Sequence, residues 1–143
     1  MARIAVVVSV LGVMSAAALV PSSASAYSAF WSPRQDVGCV VDWNYARCDL
    51  RRQSWAPPSR PAWCRLTFGH GLAVTASGRA GLVCADDTAL LASFSRVLPY
   101  RRLVRRGRVG CRSTRRGVLC TNYRTRSGFL VSRTGYRLYR GYR

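Results

Sequence analysis

Six cysteines, at positions 39, 48, 64, 84, 111 and 120, constrain this chain more than any other feature. The set is even, contains no Cys-x-x-Cys pair and comes with a single histidine, so it reads as a disulfide framework rather than a zinc site. No metal and no cofactor is expected. Cys39 and Cys48 stand at the same short spacing as Cys111 and Cys120, and both pairs suit the two strands of a hairpin. Sequential pairing follows, with Cys64 to Cys84 as the third bridge. Closing loops of roughly 10 to 20 residues contributes about 3 kcal/mol per bridge.

Such a framework needs an oxidising compartment, and the start of the chain offers a route to one. Met1-Ala2-Arg3 is positive, Ile4 to Val20 is almost unbroken in apolar residues, and Pro21 ends the run. Ala24-Ser25-Ala26 carries the small side chains that a signal peptidase accepts. Residues 1–26 therefore read as a signal peptide and 27–143 as a single secreted, six-cysteine, β-rich domain. An uncleaved anchor is the alternative, since the apolar run sits at the lower edge of bilayer-spanning length. The small-residue site argues against it. No transmembrane segment is expected in the mature chain, and no cysteine at the cleavage point suggests a lipid anchor.

The pattern of the mature chain is β. Leu72, Val74 and Ala76 alternate with polar or small residues, Ser77-Gly78 offers a turn, and Ala80, Leu82 and Cys84 alternate again. Phe129 and Val131, Thr134-Gly135, then Tyr136 and Leu138 repeat the arrangement. A third hairpin closes around Trp43-Asn44, where Asn tolerates positive φ, and Gly117 serves a turn between Cys111 and Cys120. One short helix is expected over residues 87–96, capped by Asp86 or Asp87 and stopped before Pro99. The fold class is a small, disulfide-stabilised, all-β domain of antiparallel hairpins. Gly38-Cys39 to Cys48 parallels Gly110-Cys111 to Cys120, which is either a duplicated hairpin unit or a coincidence of hairpin geometry.

Several landmarks together resemble a known family. They are Phe30-Trp31-Ser32-Pro33, Gly38-Cys39, Arg47-Cys48-Asp49, Trp55 with Pro57-Pro58, and Cys64 before Gly69. Cys84 with Asp87-Thr88, Leu98-Pro99-Tyr100, Cys111, Gly117-Val118, Cys120-Thr121-Asn122, Gly128-Phe129 and Ser132 continue the pattern. Over nearly all of Tyr27 to Tyr139 the chain resembles a family of small secreted actinobacterial six-cysteine proteins, a domain of unknown function. The resemblance implies export and fold, and no activity. This chain departs from it at Arg101, where glycine is expected, and at Arg126-Ser127, where a histidine is expected.

Residue inventory narrows the chemistry. The mature chain has one histidine, no glutamate and no lysine, which excludes a two-histidine nuclease, a glutamate-based glycosidase and a Ser-Lys hydrolase. A triad on His70 survives, without a Gly-x-Ser-x-Gly elbow to support it. An exposed loop histidine is the plainer reading, and a non-enzymatic protein is expected. Asp86-Asp87 lacks the further oxygen ligands of a calcium site and reads as a cap or as a partner for arginine. Trp31, Trp43, Trp55 and Trp63 are either a sugar-stacking face or the core itself.

Charge gives the strongest functional lead. The mature chain carries seven Arg and five Asp up to Ser95, then 15 Arg and no acid from Arg96 to Arg143. Guanidinium groups grip phosphate or carboxylate through paired hydrogen bonds. The candidate polyanion-binding residues are Arg101, Arg102, Arg105, Arg106, Arg108, Arg112, Arg115, Arg116, Arg124 and Arg126. Tyrosines alternate with arginine near the C-terminus, and rings that stack beside such charges suit anionic polymers. The expected partners are anionic cell-envelope polymers or lipid headgroups, with nucleic acid less favoured. A surface merely rich in arginine is the alternative, as is a secreted inhibitor or antibacterial protein presenting the Ser54 to Arg60 loop.

Overall fold

The computed structural model describes residues 27–90 and 96–141. The expected signal peptide lies outside them, as does the centre of the expected helix over 87–96. Asp86 to Leu90 form bends, and no helix occurs among the described residues. None is therefore long and apolar enough to cross a membrane.

Ten strands form two antiparallel five-stranded meanders. The first holds β1 (Ser28–Trp31), β2 (Val37–Val41), β3 (Tyr45–Leu50), β4 (Phe68–Thr75) and β5 (Ala80–Cys84). The second holds β6 (Leu103–Arg106), β7 (Val109–Thr114), β8 (Gly117–Asn122), β9 (Gly128–Ser132) and β10 (Gly135–Tyr139). Side chains alternate between faces along a strand, and β8 shows the result: Val118, Cys120 and Asn122 are buried while Gly117, Leu119 and Thr121 are less so. The buried faces meet in one core containing Phe30, Val41, Leu72, Val74, Phe129 and Val131. The β1 edge is covered where Val97 bridges Trp31 in parallel, which removes a free ladder of backbone groups.

Turn chemistry departs from expectation at one hairpin. Between β2 and β3 Asn44 keeps negative φ, and the turn is fixed instead by its N–H donating to Asp42 Oδ1 at 2.7 Å. Ser77-Gly78 turns β4 into β5 as the sequence indicates, with Gly78 at φ 89°. Arg101 takes φ 70° in the Pro99-Tyr100-Arg101-Arg102 turn, closed by Arg102 N–H on Pro99 O at 3.1 Å. That position suits glycine best.

All three disulfides pair as the spacing implies. Cys39–Cys48 joins directly opposed residues of β2 and β3, and Cys111–Cys120 does the same for β7 and β8. Their sulfurs touch across the core, with Cys48 Sγ 3.4 Å from Cys120 Sγ. Three disulfides place the folded chain in an oxidising environment. Cys39, Cys48, Cys111 and Cys120 are fully buried, whereas Cys84 on β5 is partly exposed. A limiting dose of reductant is therefore expected to open Cys64–Cys84 first. Alkylation followed by peptide mass spectrometry checks this, and uniform labelling of all six cysteines would contradict it.

The sequence repeat is a repeat of structure. A shift of 72 residues, the separation of Cys48 from Cys120, carries β3 onto β8 and β2 onto all but the last residue of β7. It also carries Gln35 onto Gly107, and both have left-handed backbones, at φ 54° and 51°. The Arg51 N–H donates to Asp36 O, and the equivalent Tyr123 N–H donates to Arg108 O, each at 2.8 Å. The two sheets pack face to face, β2 against β6 and β7, β3 against β7, β4 against β8 and β9, and β5 against β9 and β10. The two halves thus share one connectivity, and the sulfurs of the equivalent residues Cys48 and Cys120 meet between them.

Candidate polyanion-binding site

The equivalence of residues 72 apart has a functional consequence, because the side chains differ at the two ends of the sandwich. At one end the β2–β3 turn meets the β6–β7 turn, and Trp43 lies against Gly107, so close that an added Cβ would sit 2.9 Å from its ring. Asn122 ties the same end together, its amide donating to Thr75 O and Ala76 O at 2.9 Å and its oxygen accepting from the N–H of Arg124 and Thr125. At the opposite end the residues equivalent to Trp43 and Asn44 are Arg115 and Arg116. Here a cleft of about 620 Å³ lies open.

Five arginines line it: Arg34, Arg52, Arg115, Arg116 and Arg133. They come from both halves. Arg34 is in the β1–β2 turn, which Ser32 secures by accepting Gln35 N–H at its carbonyl and Val37 N–H at Oγ. Arg52 follows β3. Arg115 and Arg116 form the tip of the β7–β8 turn, which Thr114 Oγ1 closes by donating to Gly117 O at 2.7 Å. Arg133 is in the β9–β10 turn, and its carbonyl accepts both the N–H and the hydroxyl of Ser54. Short turns on a disulfide-stapled frame therefore hold the guanidinium stems, which limits the ordering that binding requires.

Electrostatics favours an anion in this cleft. Among the described residues the only ion pairs are those of Arg47, so none of the five arginines is neutralised by a carboxylate within 4.0 Å. Asp36 is the single carboxylate in the lining. A concave site of one sign focuses field into its mouth and raises the local concentration of counter-charged ligand.

Of the arginines that the sequence singles out for polyanion binding, only Arg115 and Arg116 reach the cleft. Arg101 and Arg102 line a separate hollow with Arg96, beside Leu98 and Pro99. Arg105 lies over the Tyr123 ring, 4.4 Å from its centroid, and Arg106 Nε donates to Ser28 Oγ at 3.1 Å. Arg108, Arg124 and Arg126 belong to the loops of the closed end, and Arg112 projects from β7 between Leu103 and Leu119. Sequence reasoning missed Arg34, Arg52 and Arg133. The available signal was their place in tight connections at the strand ends, rather than their density.

The four tryptophans divide. Trp31 is core, Trp55 packs on Tyr136 at 4.8 Å, Trp43 lies at the closed end, and Trp63 contacts Phe68 edge-on. His70 is exposed on β4 rather than in a loop, and opens onto a hollow of about 270 Å³ shared with Arg47, Asp49, Asp86 and Asp87. Among the described residues no serine lines this hollow. Arg47 is its anchor: Nε and Nη2 donate to the Asp49 carboxylate at 2.8 Å, and Nη1 donates to Asp87 Oδ1 at 2.7 Å. Burial opposes the charge on Arg47, but these hydrogen bonds outweigh it and raise its pKa. The same bonds hold the Asp87 carboxyl below its ordinary range. Asp86 accepts from the N–H and hydroxyl of Thr67, both at 2.8 Å. The acidic pair thus serves as pairing and turn chemistry.

Fold and site together define a class: a small two-sheet β domain stapled by disulfides, with a basic cleft at one end. No protein-family model matches the chain, and no curated protein or solved structure matches it.

Proposed function

We propose that this is a non-enzymatic, exported binding protein for anionic polymers of the cell envelope, or for the headgroups of anionic lipids, and that the arginine cleft is its binding site. The observation that carries the reading is the convergence in one cleft of five guanidinium groups, from both halves of the fold, none of which has a carboxylate within 4.0 Å among the described residues. Export accords with the disulfides and with the signal-peptide pattern of residues 1–26. The resemblance to secreted six-cysteine proteins supports the same location.

Two charge-matched variants test the site. One replaces Arg34, Arg52, Arg115 and Arg116 by Gln, and the other replaces Arg105, Arg108, Arg124 and Arg126. Binding to an anionic polymer is followed as salt rises, since each neutralised phosphate releases condensed counterions and steepens the dependence. The cleft variant is expected to flatten the slope of log affinity against log salt by up to about 0.7 per lost contact on a single-stranded polyanion. The second variant is expected to change it little. Equal losses from both sets would show that net charge alone drives association.

A further inference from the structure

Asp36 is out of place in a site built only for anions. It lines the arginine cleft, yet it is half-buried, has no ion-pair partner within 4.0 Å among the described residues, and accepts no side-chain hydrogen bond there. Its carbonyl is occupied by the Arg51 N–H, so the backbone is fixed and the carboxylate is left for another donor. At the equivalent position of the closed end stands Arg108. A carboxylate in this place repels phosphate, and it also lowers the site's attraction for a bare polyanion. An ionised carboxylate only accepts hydrogen bonds, so what it recognises in a ligand is a hydroxyl or ammonium group. Tyr100 and the arginines share the same lining, so phosphate grip and donor recognition fall within one cleft.

We infer that the cleft selects a phosphodiester polymer with free hydroxyl groups beside its phosphates, a polyol phosphate, and that Asp36 is the residue that sets this selectivity. The inference rests on the polyanion reading above and narrows it. Arginines hold the phosphate groups, and Asp36 accepts a hydrogen bond from the neighbouring hydroxyl. Binding involves no covalent step. Rim residues such as Arg34 and Arg52 are charged and exposed, which suits a polymer in solution better than a headgroup seated in a bilayer.

The test compares poly(glycerol phosphate) with linear polyphosphate, which has phosphates and no hydroxyl groups, on the intact, disulfide-bonded protein. In the Asp36→Ala variant the ratio of affinities for the two polymers is expected to fall about tenfold, the size of one charge-assisted hydrogen bond. Polyphosphate should bind the variant more tightly, because one repulsive charge is gone. Asp36→Asn, which keeps an acceptor, should recover part of the ratio. An equal gain for both polymers would overturn the selectivity proposal while leaving the polyanion reading intact. Failure of the unsubstituted protein to bind either polymer at low salt would overturn that reading itself. Phosphatidylglycerol vesicles separate the two sources of glycerol phosphate. The soluble polymer is expected to displace the protein from them, and failure to do so would overturn the free polymer as the ligand.

Discussion

Replacing Asp49 by alanine is expected to cost about 3–5 kcal/mol of folding stability, because it leaves the buried Arg47 guanidinium without its principal partner. The side chains of Arg47 and Asp49 are only 10% and 5% exposed. Asp49 Oδ2 also accepts from Thr88 Oγ1 at 3.1 Å and from the Ala89 N–H at 2.8 Å, so it anchors the segment that follows β5 to the outer side of β3. Arg47 completes the clasp by donating to the carbonyl of Asp87. Denaturant unfolding with disulfides intact measures the loss, and a change below about 1 kcal/mol would contradict a buried, interdependent pair. Asp87→Ala should be far milder, since that side chain is 80% exposed. Its folded-state pKa lies below the ordinary carboxylate value, so its contribution is full at neutral pH and is lost as pH falls through that lowered value.

The second large effect is expected at Phe129. It is fully buried on β9, directly opposite Cys120, and its structural counterpart Leu72 lies opposite Cys48. Phe129→Ala should cost about 3–5 kcal/mol and Leu72→Ala about 2–5 kcal/mol, the transfer loss plus the cavity left in a core that relaxes only partly. Both sheets share that core. Unfolding followed by tryptophan fluorescence, which reports mainly on the first sheet, and by far-ultraviolet circular dichroism should therefore stay coincident for each variant. Separate transitions would mean that the two meanders fold as independent units.

These two sites show how differently parts of the molecule could be read from sequence. The hairpins were legible because alternation has a period of two and because turn residues punctuate it, as at Ser77-Gly78. Two of the disulfides were legible for a related reason: Cys39–Cys48 and Cys111–Cys120 each span one hairpin, whereas Cys64 lies in the β3–β4 connection. The clasp was only half legible. Asp86-Asp87 reads as a partner for some arginine, but nothing along the chain joins Asp87 to Arg47, since β3 and the segment after β5 meet only in the folded molecule.

The candidate site follows the same logic. Counting arginines along the chain points to Arg96–Arg143, and that density dissolves in three dimensions: Arg105 stacks on a ring, and Arg108 and Arg124 lie at the closed end. Local spacing reports only neighbours in sequence, whereas Arg34 and Arg52 reach Arg115 and Arg133 through the facing of two sheets. The sequence by itself determined the β class, the two hairpin bridges and the repeat of Gly-Cys to Cys, all of which depend on contacts between adjacent strands. Tertiary structure decided that the sulfurs of the repeat units meet between the sheets, that Trp43 lies against Gly107 at one end, and that Arg115 and Arg116 line a cleft at the other. The physical reason is that sheet packing joins residues far apart in the chain, so the charge that matters at a site is set by which turns share an end of the sandwich.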